Sequence, residues 1–159
     1  MAVSRAMEFT ISTLAPTSAL VCEPRGADTS RETLASWSRR RNPPRYRHRM
    51  IEQLHHLVEQ QARREPAAPA LLFRDQALDY AALSDASRAA AHGFLQQGVE
   101  AGDRVAVYLP KQPETVIALL GASTAGAAFV PVNPALKPAQ VAYILAHCAV
   151  RCLVTSRQR

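Results

Sequence analysis

The sequence predicts an α/β fold with a partial parallel βαβαβ layout, and three observations lead to this class. From residue 104 onward, short runs rich in β-branched residues alternate with longer segments of helical periodicity. Their order is strand, helix, strand, helix, strand, which favours parallel pairing with right-handed crossovers. Between Glu114 and Lys137 the chain runs for 22 residues without a charged side chain. Such a run is typical of a helix that covers a parallel sheet, followed by a strand buried on both faces.

Residues 50–103 predict a helix and a hairpin ahead of this layout. Leu54, Leu57 and Val58 have helical spacing in a segment that ends before Pro66. Two short strands follow in "PALLFRDQALDY", joined by a polar turn at residues 74–76.

A second helix is predicted from Tyr80 to Gln97. Asp79 suits its N-cap, because a short acidic side chain can accept a hydrogen bond from the first helical turn. Gly98 followed by Val99 indicates a Schellman ending, in which the glycine takes the left-handed conformation and the valine packs back on the helix.

The three strands of the βαβαβ layout are predicted at residues 104–109, 128–132 and 151–155. Proline at a first helical position marks the start of each intervening helix, at Pro113 and Pro138. The layout predicts that four apolar residues on these elements lie in the core, namely Ile117, Leu120, Val130 and Ile144.

Residues 1–49 are predicted to form a disordered basic leader, separate from the domain at residues 50–159. The leader holds nine arginines against four acidic residues, so most of the formal net charge of +6 lies there. It lacks helical or strand periodicity, and paired prolines interrupt its most basic stretch at residues 39–49. We expect the leader to be dispensable, and Met50 is an alternative true start.

The composition argues against nucleic-acid binding, export and a membrane span. Residues 50–159 hold ten basic and nine acidic side chains, so no basic face for a nucleic acid is predicted on the domain. Polar residues interrupt the apolar residues of the leader, unlike a secretory signal, and its four acidic residues disfavour a transit peptide. The uncharged run includes Pro131, Asn133 and Pro134, which a membrane span disfavours. We expect a cytoplasmic protein.

No metal site is predicted from the cysteines and histidines. Cys22, Cys148 and Cys152 contain no C-x-x-C pair and lack a matching set of partners. Cys148 and Cys152 are expected to be small buried apolar residues in a reducing compartment. His55 and His56 are neighbours that point in different directions on a helix, so surface or boundary positions are expected for both.

The segment "GASTAG" has the glycine spacing of a phosphate-binding loop but lacks its chemistry. Such a loop needs lysine and a hydroxyl residue after the second glycine, whereas Ala127 and Ala128 follow Gly126. Ser123 is not in a G-x-S-x-G motif either, because Ala125 takes the last position. The small residues of this segment are expected to let its helix approach the sheet closely.

The residues from about Leu54 to Thr155 resemble the AMP-forming adenylate enzymes, which include acyl-CoA ligases, luciferases and peptide-synthetase adenylation domains. The resemblance is carried by "LDYAAL", "GVEAGDRVAVYLPKQPETVIALLGASTAGAAFVPVNP" and "VAYILAHCAVRCLVT". "LPKQPE" and "FVPVNPALKP" are especially similar to acyl-CoA ligases associated with exosortase systems. One departure is Ala82, which stands where the family often has the glutamate of a capping box.

The resemblance implies a ligase of fatty acid metabolism that uses ATP and magnesium to convert a carboxylate to an acyl-adenylate. The acyl group then passes to the thiol of CoA or of a carrier-bound pantetheine. The family's phosphate loop, nucleotide-binding residues, acyl pocket and catalytic lysine all correspond to sequence beyond Arg159. Lys111 is not that lysine and is expected to be a solvated surface charge. The resemblance therefore assigns no catalytic, cofactor-binding or metal residue to this chain.

The expected function is that of a truncated N-terminal piece of an acyl-CoA ligase, inactive alone and binding no cofactor itself. Its expected partner is the remainder of the ligase fold, either missing or supplied as a separate chain. One alternative is a stand-alone α/β module that binds another protein through an exposed face of the sheet. Another alternative is one half of a split ligase. The sequence does not specify the acyl substrate or the acceptor thiol.

Overall fold

The computed structural model describes residues 18–22 and 53–156 of the chain. The strands are β1 (Ser18–Cys22), β2 (Pro69–Phe73), β3 (Gln76–Asp79), β4 (Arg104–Tyr108), β5 (Ala128–Pro131) and β6 (Cys152–Ser156). The helices are α1 (Leu54–Arg64), α2 (Tyr80–Gln96), α3 (Pro113–Thr124) and α4 (Pro138–His147).

A four-stranded sheet in the order β1-β6-β4-β5 forms the centre of the molecule. β4 pairs in parallel with both β5 and β6, in registers that place Val105 opposite Phe129 and Cys152. The predicted α/β class and the parallel βαβαβ order are confirmed. β2 and β3 form a separate antiparallel hairpin, joined by the two residues Arg74 and Asp75.

Helices cover both faces of this sheet. On one face, Val105 and Val107 of β4 share a buried cluster with side chains of α2 and α3, including Ile117 and Leu120. On the other face, Val141 of α4 packs with Ala106 and Val132. Val130 and Ile144 are half-buried against this second cluster. All four predicted core residues therefore pack in a core, on opposite faces of the sheet. α1 packs outside α2 and α3.

The predicted ends of α2 are confirmed in detail. The Asp79 carboxylate accepts a hydrogen bond from the Ala82 backbone N–H at 2.7 Å. At the other end, Gly98 has φ of 77°, and the Val99 N–H donates to the Phe94 carbonyl at 3.1 Å. Val99 is buried, so the apolar contact of the Schellman ending is present.

One expectation for the leader is wrong. Ser18–Cys22 is not irregular but forms β1, antiparallel to β6, with Cys22 opposite Cys152. The edge of β6 presents a row of backbone N–H and C=O groups that favours pairing with another strand. The five residues of β1 need no alternating apolar pattern to pair with β6, because the hydrogen bonds between strands are made by backbone groups. The rest of residues 1–49 lies outside the described part of the chain, and so does Met50, the alternative start.

The small residues of "GASTAG" serve a different contact from the one expected. A Cβ atom added at Gly121 would lie 2.7 Å from the Ala90 Cβ and 3.1 Å from the Ser87 carbonyl oxygen. Gly121 therefore allows α3 to approach α2, rather than the sheet. The spacing of small residues along α3 does not show whether they face α2 or the sheet.

Candidate functional site

The carboxyl ends of β4 and β5 have the geometry at which a ligand site is expected. Parallel α/β sheets bind ligands beyond these ends, where successive crossovers leave toward opposite faces. Here α3 follows β4 on one face, and α4 follows β5 on the other. The loops at this edge comprise residues 109–112 and 132–137.

Polar groups at this edge hold the loops in place. The Tyr108 hydroxyl donates to the Leu136 carbonyl at 3.0 Å, and the Thr115 hydroxyl donates to the Pro110 carbonyl at 2.6 Å. The Asn133 amide oxygen accepts from the Ala135 N–H at 2.9 Å. Lys111 is exposed, in agreement with its predicted position. These hydrogen bonds therefore have a structural role, which is to fix the loops after β4 and β5.

Thr155 at the carboxyl end of β6 differs from these groups. Its hydroxyl is buried and has no hydrogen-bond partner within the described residues. Buried polar groups are nearly always paired, so an unpaired one needs an explanation. The neighbouring strand places Tyr108 opposite it, in the parallel register of β4 and β6.

The residues of "GASTAG" do not fit a nucleotide phosphate or its magnesium ion. The N–H groups of Ala125, Gly126 and Ala127 donate to carbonyls of residues 121, 123 and 122 within the same helix end. The Thr124 hydroxyl donates to the Leu120 carbonyl at 2.9 Å. The Ser123 hydroxyl lies 3.0 Å from His55 Nδ1. These donors are therefore already engaged, and none of them faces an open phosphate cradle.

The contact between His55 and Ser123 is one that the sequence patterns do not predict. The expected position of His55 is the surface or a boundary, but the residue is buried with only 9% of its surface exposed. It is the buried residue of α1, whereas Leu54 and Leu57 of the same helix are about half exposed. The two partners are 68 positions apart in the chain. Only the packing of α1 on α3 brings them together.

The surroundings of His55 disfavour its charged form. Burial lowers the pKa of His55 below the ordinary value of 6.5, and the adjacent His56 lowers it further. Glu59, one turn along α1, opposes this shift. A cavity of about 10 Å³ lies beside the ring, lined by residues that include Ser84, Ser87 and Thr124. This volume corresponds to about one water molecule, so the pair has no room for an organic substrate.

The described residues contain neither a metal-binding cluster nor a membrane-spanning helix. Within them, no group of three or more His, Cys, Asp or Glu side chains is placed to hold a metal ion. No helix in residues 53–156 combines the length and apolar character needed to cross a bilayer.

Several proteins of known class are similar to this chain. It is 34% identical over 102 residues to tyrocidine synthase 2 of Brevibacillus parabrevis, covering 64% of this chain and 3% of that protein. It is 34% identical over 117 residues to surfactin synthase subunit 3 of Bacillus subtilis (strain 168), covering 74% of this chain and 9% of that protein.

Two solved structures are similar to this chain in fold as well as in sequence. The N-terminal subdomain of Klebsiella oxytoca NpsA in complex with 3-hydroxyanthranilyl-AMSN matches with a TM-score of 0.60 and 25% identity. It covers 62% of this chain and 25% of that chain. The inhibitor-bound N-terminal domain of FACL13 from Mycobacterium tuberculosis matches with a TM-score of 0.61 and 26% identity, over 64% and 26% of the two chains.

The chain thus spans a small part of these synthases and about a quarter of the two matched structures. The family described as AMP-binding enzyme matches residues 58–159, which include α2, α3, α4 and the three parallel strands. By this match the chain belongs to the AMP-binding, adenylate-forming enzymes, of which it represents an N-terminal portion.

Proposed function

We propose that the chain is the N-terminal piece of an ATP-dependent acyl-CoA ligase and is inactive without the remainder of that fold. The observation that carries this proposal is the match to N-terminal regions of adenylate-forming proteins, over about a quarter of the matched chains. In this proposal β4, β5 and β6 with their helices form a scaffold layer, and other parts of the fold supply the reactive groups. We place the protein in the cytoplasm.

The remainder of the ligase fold, in the same or a separate chain, is the partner that this proposal requires.

The overall reaction would convert a carboxylate and ATP to an acyl-adenylate and pyrophosphate. Transfer of the acyl group to a thiol would then form a thioester and release AMP. Electrostatic stabilisation of the phosphates is central to such a step. The donors of "GASTAG" are engaged in helix-end and side-chain hydrogen bonds, so this segment is unsuited to that role. We therefore assign no catalytic or cofactor-binding residue to the described part of the chain.

A second candidate is an N-terminal piece of a peptide-synthetase adenylation domain. The similarity to the tyrocidine and surfactin synthases favours it. The two candidates share the adenylation step and differ in the acceptor, which is CoA in one case and carrier-bound pantetheine in the other. The DNA that follows codon 159 distinguishes them, because a frame encoding a carrier domain after the ligase remainder would favour the synthetase.

Activity of the purified chain tests the proposal directly. We expect no carboxylate-dependent exchange of pyrophosphate into ATP with a panel of fatty acids and amino acids. We also expect no shift in melting temperature on addition of Mg-ATP, since a ligand that binds the folded state would raise it. A full-length acyl-CoA ligase assayed in parallel provides the positive control. ATP-dependent thioester formation by the isolated chain would overturn the proposal.

A further inference from the structure

α1 is attached to the rest of the domain in an unusual way. A surface helix is ordinarily held by a stripe of apolar side chains that faces the core. In α1 the buried residue is His55, while Leu54 and Leu57 expose 47% and 48% of their surface. Val58 is partly buried against the main core and is an apolar neighbour of this contact. The most buried side chain of α1 is therefore a titratable one, in the first turn of the helix.

The bond made by His55 joins two helices that are distant in sequence. Its Nδ1 atom lies 3.0 Å from the Ser123 hydroxyl near the end of α3. α2 completes the surroundings, because Ser84, Ser87 and Arg88 line the small cavity beside the imidazole ring. The neutral ring can be a hydrogen-bond partner of Ser123 without the cost of burying a charge.

We propose that His55 is a proton-operated latch, which holds α1 against α2 and α3 at neutral pH and releases α1 on acidification. A proton taken up by the ring creates a charge inside this packed contact. Release of α1 transfers that charge to water, and it also exposes the Ser123 end of α3. The latch is independent of the proposed ligase function, since it rests on packing and titration alone.

The charged and titratable groups around the His55 ring still leave its charged form disfavoured in the closed state. On α1, His56 has its ring centroid 4.3 Å from that of His55, so a second positive charge would be repelled. Glu59 on α1 attracts the charged ring, but it also pairs with Arg63 at 3.8 Å. α2 contributes the cationic Arg88, which pairs with Asp85. The α3 side chains at this contact, Leu120, Ser123 and Thr124, are uncharged.

The sign of the pH dependence follows from proton binding. Because the folded state lowers the pKa of His55, the released state binds the proton more tightly. The closed latch is therefore fully stable above the ordinary histidine value of 6.5. The closed state loses stability as the pH falls from the ordinary histidine pKa toward the lowered pKa of His55 in the folded protein. One proton can change the opening equilibrium by at most about tenfold per pH unit.

Hydrogen–deuterium exchange of the full chain tests the latch. Exchange is followed by mass spectrometry between about pH 7.5 and pH 5, with rates corrected for the intrinsic pH dependence of amide exchange. Peptides from α1 should lose protection progressively below the ordinary histidine value, while peptides from β4 keep theirs. Equal loss in α1 and β4, or none in α1, would overturn the proposal.

Matched variants assign the effect to one side chain. His55→Gln retains a hydrogen-bonding side chain that does not titrate, so α1 should lose its pH-dependent release. His92→Gln replaces an exposed histidine of α2 and should leave the release unchanged. Persistence of the full effect in His55→Gln, or its disappearance in His92→Gln, would contradict the assignment.

Ser123→Ala keeps the test decisive if His55→Gln does not fold. This variant removes the hydroxyl partner but retains the titratable ring. α1 should be less protected than in the unmodified protein already at about pH 7.5, and acidification should reduce its protection further. Unchanged protection of α1 at every pH would show that the pair does not hold the helix.

Discussion

Gly98 and Ala149 both adopt positive φ at the ends of helices, with values of 77° and 46°. The left-handed conformation suits glycine, whereas a Cβ atom makes it unfavourable by roughly 1–2 kcal/mol. The Arg104 guanidinium donates to the Cys148 and Ala149 carbonyls at 2.8 and 2.6 Å, which holds the turn after α4. The sequence therefore uses a favourable residue at one helix end and an unfavourable one at the other.

We predict stability changes of opposite sign at these two positions. Ala149→Gly should raise the free energy of unfolding by up to about 1 kcal/mol, after the greater flexibility of glycine in the unfolded chain is subtracted. Gly98→Ala should lower it by about 1 kcal/mol. An added Cβ at Gly98 would lie 3.6 Å from the nearest atom, Arg151 Nη2, so the backbone effect dominates there. Urea denaturation measures both, and changes of the same sign would refute the conformational argument.

At the scale of elements, α3 is the helix on which the main core depends. It contacts β4 beneath it and α2 beside it, and Ile117 and Leu120 expose only 6% and 4% of their surface. Gly121 on the same helix leaves no room for a Cβ atom against α2. The helix is therefore fixed by close packing on two sides.

Truncation of the α3 core residues should destabilise the domain strongly. Ile117→Ala and Leu120→Ala should each lower the free energy of unfolding by roughly 2–5 kcal/mol, since each removes buried groups and leaves a cavity. Leu95→Ala on α2 is the matched control, because that side chain is 51% exposed and should change stability by about 0.5 kcal/mol or less. Chemical denaturation gives the comparison. Equal losses at Leu95 and the α3 positions would show that burial does not govern them.

At the scale of the whole molecule, β1 is an edge strand of the central sheet and covers β6. Its five residues pair with the whole of β6, from Ser18 opposite Ser156 to Cys22 opposite Cys152. Exposed sheet edges are sites of pairing between chains. The described strand therefore gives part of the leader a place in the central sheet.

Deletion of residues 1–49 should cause self-association. Without β1, the edge of β6 becomes available for pairing with another chain, so light scattering coupled to size-exclusion chromatography should detect larger species. Deletion of residues 1–17 alone is the matched control, because it retains β1. We expect this shorter deletion to behave as the full chain does. Indistinguishable masses for the full chain and the longer deletion would show that β1 does not protect the edge.

Local sequence patterns predict the order and class of the elements in residues 53–156. Helical spacing in α1 and α2, β-branched runs in β4 and β6, and the cap at Asp79 are local features, and the structure contains each of them. These patterns succeed because they reflect backbone conformation and the alternation of burial along a few neighbouring residues. The resemblance to adenylate-forming enzymes likewise rests on contiguous segments.

Contacts between residues distant in sequence become visible only in the folded chain. The pairing of β1 with β6, the contact of Gly121 with Ala90, and the burial of His55 against Ser123 each join parts of the chain that are far apart in sequence. A strand edge accepts almost any short segment through backbone bonds, and a histidine suits a surface as well as a buried contact. These contacts depend on the packing of whole elements, which local sequence patterns do not specify.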